Sequence, residues 1–294
     1  MKKLVLVLVV LAVFATASLG ARLNVGAKNF TEQYIVSSMI SQLLSNAGFD
    51  VREDFGMSSF VVRNALLTGQ IDLYADYTGT AWTAYFGHEE IPRDPVELYE
   101  KVAAQDLEEN NIVWLEMAPF NNTYALAVTA EFAREHGLMT VSDLAELSQQ
   151  NPDLRYGIEF EFLDRPDGFF PMAELYGIEV TRRNVSAMEI GLTYEAVSRG
   201  EIDVAMVFAT DGLLERFDLV VLEDDLNFFP AYNIAVTVRK EVLDEHPEIR
   251  EILRPIALYL SEPIMIRLNY LVDTEGYEPD EVAEMFLKGL GLID

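Results

Sequence analysis

From residue 23 onward the chain reads as short apolar runs separated by stretches of helical spacing. Residues 23–27 are apolar and fit a strand. Thr31, Glu32 and Gln33 then suit a helix start, and Ile35, Met39, Ile40, Leu43 and Leu44 repeat on one face. Gly48 closes that helix. Residues 49–55 are expected to form a strand, residues 60–68 a helix stopped by Gly69, and residues 71–77 a strand. A helix carrying Trp82 and Tyr85 follows. Asp94 and Pro95 start another that runs to Glu109, and residues 112–117 make the next strand. In the second half, strands are expected at residues 156–162 and 202–208, with helices between. This alternation predicts an α/β architecture with mostly parallel sheets.

Two internal likenesses refine the picture. Residues 65–73 (ALLTGQIDL) resemble residues 196–204 (AVSRGEIDV). Each is a helix end, a glycine cap and a buried strand. The first strand ends at Tyr77-Thr78-Gly79 and the second at Phe208-Ala209-Thr210-Asp211-Gly212. Both deliver an aromatic residue to the C-terminal edge of a sheet, where open α/β sheets place ligands. Residues 121–128 also resemble residues 229–236, each a polar or Pro-containing entry, a tyrosine and an apolar extended run. Two similar lobes joined by a pair of crossing strands follow from these likenesses.

Composition narrows the function. Of 294 residues, 21 are Lys or Arg and 49 are Asp or Glu, a formal charge of −28. Such a surface argues against nucleic acid and anionic membranes as partners, because phosphate neutralisation needs clustered positive charge. The absence of cysteine removes disulfides, thiolate nucleophiles and Cys-ligated metals. Lys2 and Lys3 precede an apolar run to Phe14, and small residues follow up to Ala21, the pattern of a secretory signal peptide over residues 1–21. With no cysteine at the cleavage region, no lipid anchor of that kind is expected. The protein is expected to work in a periplasmic or other extracytoplasmic space.

Few reactive constellations are present. His88-Glu89-Glu90 lacks the second histidine of a zinc helix, and no phosphate loop or Gly-x-Ser-x-Gly elbow appears. No metal, cofactor or catalytic residue is therefore expected. Glu159 and Glu161, on one face of the strand expected there, form a carboxylate pair that a glycoside hydrolase could use. The sharper signal is aromatic: Tyr77, Tyr124, Phe208 and Tyr232 each stand where an apolar segment meets the expected cleft. Ring faces attract cations, above all quaternary ammonium groups, which cannot donate hydrogen bonds.

Val25-Gly26-Ala27-Lys28-Asn29-Phe30-Thr31-Glu32-Gln33 and Asp72–Thr80 resemble the substrate-binding proteins of ABC importers for glycine betaine, choline and related osmoprotectants. Arg165-Pro166-Asp167-Gly168, Phe208–Gly212 and Phe229-Pro230-Ala231-Tyr232 fit the same pattern. The resemblance covers nearly the whole chain after the leader. It implies the two-lobe periplasmic binding protein fold of type II. Residues 22–123 would form the first lobe, 124–231 the second, and 232–294 a return to the first. By motif it places an aromatic cage at Tyr77, Tyr124, Phe208 and Tyr232, with phenylalanine where the third position usually has tyrosine. It further implies that Lys28, Thr80 and Arg165 hold a ligand carboxylate, with Asn122 beside the cage. The implied protein is a monomeric, non-catalytic receptor that delivers a quaternary ammonium solute to a membrane permease driven by a separate ATPase. A receptor of the same fold for an amino acid or polyamine, and the carboxylate-pair hydrolase, are the other readings.

Overall fold

A computed structural model describes residues 20–294. The leader read over residues 1–21 lies outside the described residues except for Gly20 and Ala21. Among the described residues, ten strands form two five-stranded sheets. The first sheet has the order β2-β1-β3-β10-β4. Its strands are β1 (Arg22–Lys28), β2 (Asp50–Met57), β3 (Leu73–Tyr77), β4 (Ile112–Asn121) and β10 (Asn233–Arg239). The second has the order β7-β6-β8-β5-β9. It is built from β5 (Tyr124–Thr129), β6 (Tyr156–Glu159), β7 (Val185–Met188), β8 (Val204–Phe208) and β9 (Leu219–Val221).

The two sheets have matching wiring. In each, three parallel strands are followed by two antiparallel ones. β3 and β8, the strands of the repeated helix–glycine–strand unit, occupy equivalent central places and are buried along their whole length. Only half of the strand pairings are parallel, fewer than the alternation implied. The excess of antiparallel pairs comes from β10 and β4 in one sheet and β5 and β9 in the other. β5 and β10 follow directly on the chain crossings and run against the parallel strands. The crossings touch: Asn121 pairs with Asn233, and the Asn122 N–H donates to the Tyr232 carbonyl at 3.1 Å.

Local chemistry explains most element ends. Asp94 caps the helix Pro95–Asn110, accepting from the Val96 N–H at 2.8 Å, and Pro95 stands in its first turn, where a missing N–H costs nothing. Gly69, at φ +73°, ends the helix unit before β3. The strand expected over residues 156–162 stops early. Glu159 turns its carboxylate back onto the Phe162 N–H at 3.0 Å and caps a helix, Phe160–Asp164. A local cap outcompetes strand continuation there, so Glu159 and Glu161 are not a pair on one strand face.

Apolar side chains from both sheets and the covering helices form the core, and one cluster includes the rings of Tyr77, Tyr124, Phe208 and Tyr232. Three C-terminal helices, Ile249–Tyr259, Glu262–Asp273 and Pro279–Gly289, pack on the helix Thr31–Asn46 that follows β1. No helix among the described residues is long and apolar enough to cross a membrane.

The turn after Phe160–Asp164 is tight at Gly168. A Cβ there would lie 2.1 Å from the Phe162 carbonyl oxygen, a backbone atom that cannot swing away. Gly168→Ala is expected to lower stability by about 1–3 kcal/mol. A fall in the urea midpoint at unchanged slope is the check; an unchanged midpoint would mean that the turn adjusts freely.

Candidate functional site: an aromatic crevice between the lobes

The wiring brings distant segments to one crevice. Lys28 and Tyr77 lie at the C-terminal ends of β1 and β3, with Phe30 just beyond β1, and Phe208 ends β8. Tyr124 begins β5, and Tyr232 directly precedes β10. Because β5 and β10 run against the parallel strands, their starts lie beside the ends of the others. Parallel strands present their C-terminal ends to ligand crevices.

The rings form a continuous chain around a small, nearly filled space of about 20 Å³. Tyr77 faces Phe30 with centroids 6.1 Å apart, and Phe30 stacks on Phe208 at 5.3 Å and 16°. Phe208 meets Tyr124 at 5.2 Å, and Tyr124 meets Tyr232 edge-on at 5.4 Å and 85°. Phe162 stacks behind Tyr124 at 4.5 Å. All four sequence-read rings line this space, as do Lys28, Thr80 and Asn122. Phe30 joins them as a fifth ring that motif reasoning did not assign. Its signal was positional: it immediately follows the first strand.

Two of the three phenols are anchored from behind. The Tyr77 hydroxyl donates to Glu32 Oε1 at 2.7 Å, and the Tyr232 hydroxyl donates to Asp167 Oδ2 at 2.5 Å. Burial and the neighbouring carboxylates push both phenols well above their ordinary range, so they stay neutral. Gly79 permits the approach of Tyr232, since a Cβ there would lie 2.7 Å from the Tyr232 ring.

The basic residues beside the cage are engaged. Lys28 Nζ pairs with Asp76 Oδ1 at 2.7 Å, both side chains buried, and lies 4.9 Å from the Tyr77 ring centroid. Arg165 grips Asp167 with Nε at 2.8 Å and Nη2 at 2.7 Å, and reaches Glu161 at 3.2 Å. Its guanidinium sits behind the cage, 5.3 Å from the Tyr124 centroid and 3.5 Å from Thr80 Oγ1. Arg165 is thus the one sequence-read polar residue that does not line the ring-walled space. Asn122 Nδ2 donates to Glu32 at 2.9 Å, while its Oδ1 is buried without a partner.

Two sets of polar contacts join the lobes on either side of the rings. On one side, Thr83 Oγ1 donates to Asp167 at 2.7 Å and the Ser59 N–H to Glu161 at 3.1 Å. Glu161 is committed to Ser59 and Arg165, and Glu159 to its helix cap, so these two carboxylates do not form a free pair. On the other side, Thr210 Oγ1 donates to Glu32 at 2.7 Å, Asn269 Nδ2 to the Thr210 carbonyl at 3.0 Å, and Arg216 Nη1 to the Asp273 carbonyl at 3.0 Å. Asp211, just beyond β8, and Asp273, at the end of the helix Glu262–Asp273, line one space at this rim. Burial and the charge of Asp273 push the Asp211 carboxyl up to about 8. Burial raises Asp273 as well, against a bond from Thr31. Among the described residues, no cluster of three or more His, Cys, Asp or Glu side chains is arranged to hold a metal ion.

Comparison with known proteins gives a consistent picture. The family described as the substrate binding domain of ABC-type glycine betaine transport systems matches residues 21–289. The glycine-betaine-binding protein of Pseudomonas aeruginosa is 39% identical over 278 residues, 92% of this chain and 89% of its own. An ergothioneine transport permease/ergothioneine binding protein of Helicobacter pylori is 35% identical over 92% of this chain, which spans 48% of that longer protein. The crystal structure of a glycine betaine/carnitine/choline ABC transporter protein superposes with a TM-score of 0.74 at 32% identity, over 92% of this chain and all of that one.

The acidic rim sets a pH dependence. Asp211 titrates near 3.8 in an unfolded chain and at about 8 in the fold, so the folded protein holds the proton more tightly. Its stabilising contribution is complete below the lower value and is lost as pH rises through the upper one. In melting curves from pH 4 to 9, Asp211→Asn is expected to lose less stability with rising pH than the unaltered protein. Parallel curves would show that the carboxylate is not strained.

Proposed function

Given that this chain belongs to the substrate-binding domains of ABC-type glycine betaine transport systems, we propose that it captures a quaternary ammonium solute, such as glycine betaine or choline, in its ring-walled crevice. The family is one of transport receptors, not of enzymes, and substrate-binding proteins of ABC importers act outside the cytoplasm. The trimethylammonium head sits among Tyr77, Tyr124, Phe208, Tyr232 and Phe30. A ligand carboxylate meets Lys28 and Thr80, with Arg165 behind Thr80 and Asn122 closing the side. The first lobe comprises residues 22–123 and 232–294, and the second residues 124–231. Residues 1–21 are removed on export. The receptor acts as a monomer and hands its ligand to a membrane permease worked by a separate ATPase.

The observation that carries this reading is the cage itself. Five rings from both lobes face one small space, and buried carboxylates hold two of the phenols in place. A methylated ammonium needs such a surface because it offers no hydrogen-bond donor. Each desolvated ring contributes roughly 1–2 kcal/mol. Several together reach the roughly 8 kcal/mol of a micromolar complex after ordering costs. With Lys28 and Arg165 both paired, the crevice does not require a ligand carboxylate, which keeps choline alongside the betaines.

Isothermal titration with glycine betaine, proline betaine, carnitine and choline tests the assignment. Micromolar binding of at least one is expected, and no binding of any would remove the ligand class. Tyr232→Ala is expected to weaken binding by about 10-fold or more, whereas Tyr259→Ala, at an exposed helix end, leaves it unchanged. Equal losses in the two variants would count against the cage.

A further inference from the structure

Among the described residues, Glu32 lies beside the crevice with no cation of the protein to balance it, unlike the carboxylates nearest the basic residues. Asp76 is paired with Lys28, and Asp167 and Glu161 are paired with Arg165. Among the described residues Glu32 makes no salt bridge, yet its side chain is buried. Four donors surround it instead. Oε1 accepts from the Tyr77 hydroxyl at 2.7 Å and from Asn122 Nδ2 at 2.9 Å. Oε2 accepts from Thr210 Oγ1 at 2.7 Å and lies 3.5 Å from Asn269 Nδ2. The two amide nitrogens can only donate, so the pocket is built for an acceptor. Burial raises the Glu32 pKa above its ordinary value, and the four hydrogen bonds, each of which favours the ionised form, offset only part of that. A buried, unpaired charge is costly until a counter-charge arrives.

We propose that Glu32 is the buried counter-charge of the cage, answering the ligand's ammonium through the hydroxyl of Tyr77 and tilting the site toward ligands of net positive charge. This rests on the quaternary ammonium reading above. Glu32 does not line the ring-walled space, so it is a positioning residue that acts at the distance of one phenol ring. The hydrogen bond to the carboxylate makes the Tyr77 ring more electron-rich. The formal charge adds a through-space attraction that a low-polarity surrounding preserves. Choline carries one net charge. Glycine betaine has the same head, but its own carboxylate offsets much of that attraction.

The test compares affinities for choline and glycine betaine by titration calorimetry in the full protein. In Glu32→Gln the Kd for choline is expected to rise about tenfold more than the Kd for glycine betaine, as expected for loss of one charge at this range. Glu32→Asp should recover part of the preference. A general loosening of the cage would weaken both ligands by the same factor in Glu32→Gln, and that result overturns the proposal. Tyr77→Phe keeps the ring and cuts the link, so it holds the test open if Glu32→Gln does not fold. A several-fold loss of choline affinity is expected there, and an unchanged affinity overturns the proposal. Failure of the unaltered protein to bind either ligand is a different result, because it removes the cage reading and this inference with it.

Discussion

A ring face attracts a cation usefully only when it is dry and held in one orientation. Drying a phenol leaves its hydroxyl in need of a partner. The crevice meets both demands together, with Glu32 behind Tyr77 and Asp167 behind Tyr232. These two carboxylates also tie the lobes together. Glu32, in the helix after β1 of the first sheet, takes Thr210 from just beyond β8 of the second, while Asp167, which follows β6 of the second sheet, takes Thr83 from just beyond β3 of the first. The same two carboxylates therefore both aim the rings and bridge the two sheets.

The matched wiring of the two sheets makes this convergence possible. β3 and β8 are equivalent strands, and each ends in a ring that lines the crevice, Tyr77 and Phe208. The crossings supply the other two as Tyr124 and Tyr232, each at the start of a strand that runs against its neighbours. Phe208 stacks on Phe30 at 5.3 Å. A phenylalanine there keeps the ring face and, unlike Tyr77 and Tyr232, needs no buried polar partner.

Much of this was legible in the sequence because it follows from position along apolar runs. The rings at strand ends, the repeated helix–glycine–strand unit and the paired crossings all leave local marks. The polar half of the site does not. Lys28 and Arg165 look like free bases in the chain, and only folding places Asp76, Asp167 and Glu161 against them. Glu32 reads as a helix-start residue, yet in the fold it collects donors from Asn122, Thr210 and Asn269, the last of them 237 residues away. The strand expected through residue 162 shows the same limit on a smaller scale. Period and apolarity continue past Glu159, but a side-chain cap ends the strand there.

The most direct test is a crystal structure with glycine betaine bound. The trimethylammonium nitrogen should lie within about 6 Å of the centroids of several rings among Tyr77, Tyr124, Phe208, Tyr232 and Phe30, with the Glu32 side chain still on the Tyr77 hydroxyl. A head group lodged outside the ring-walled space, or rings turned away from it in the bound state, would contradict the cage.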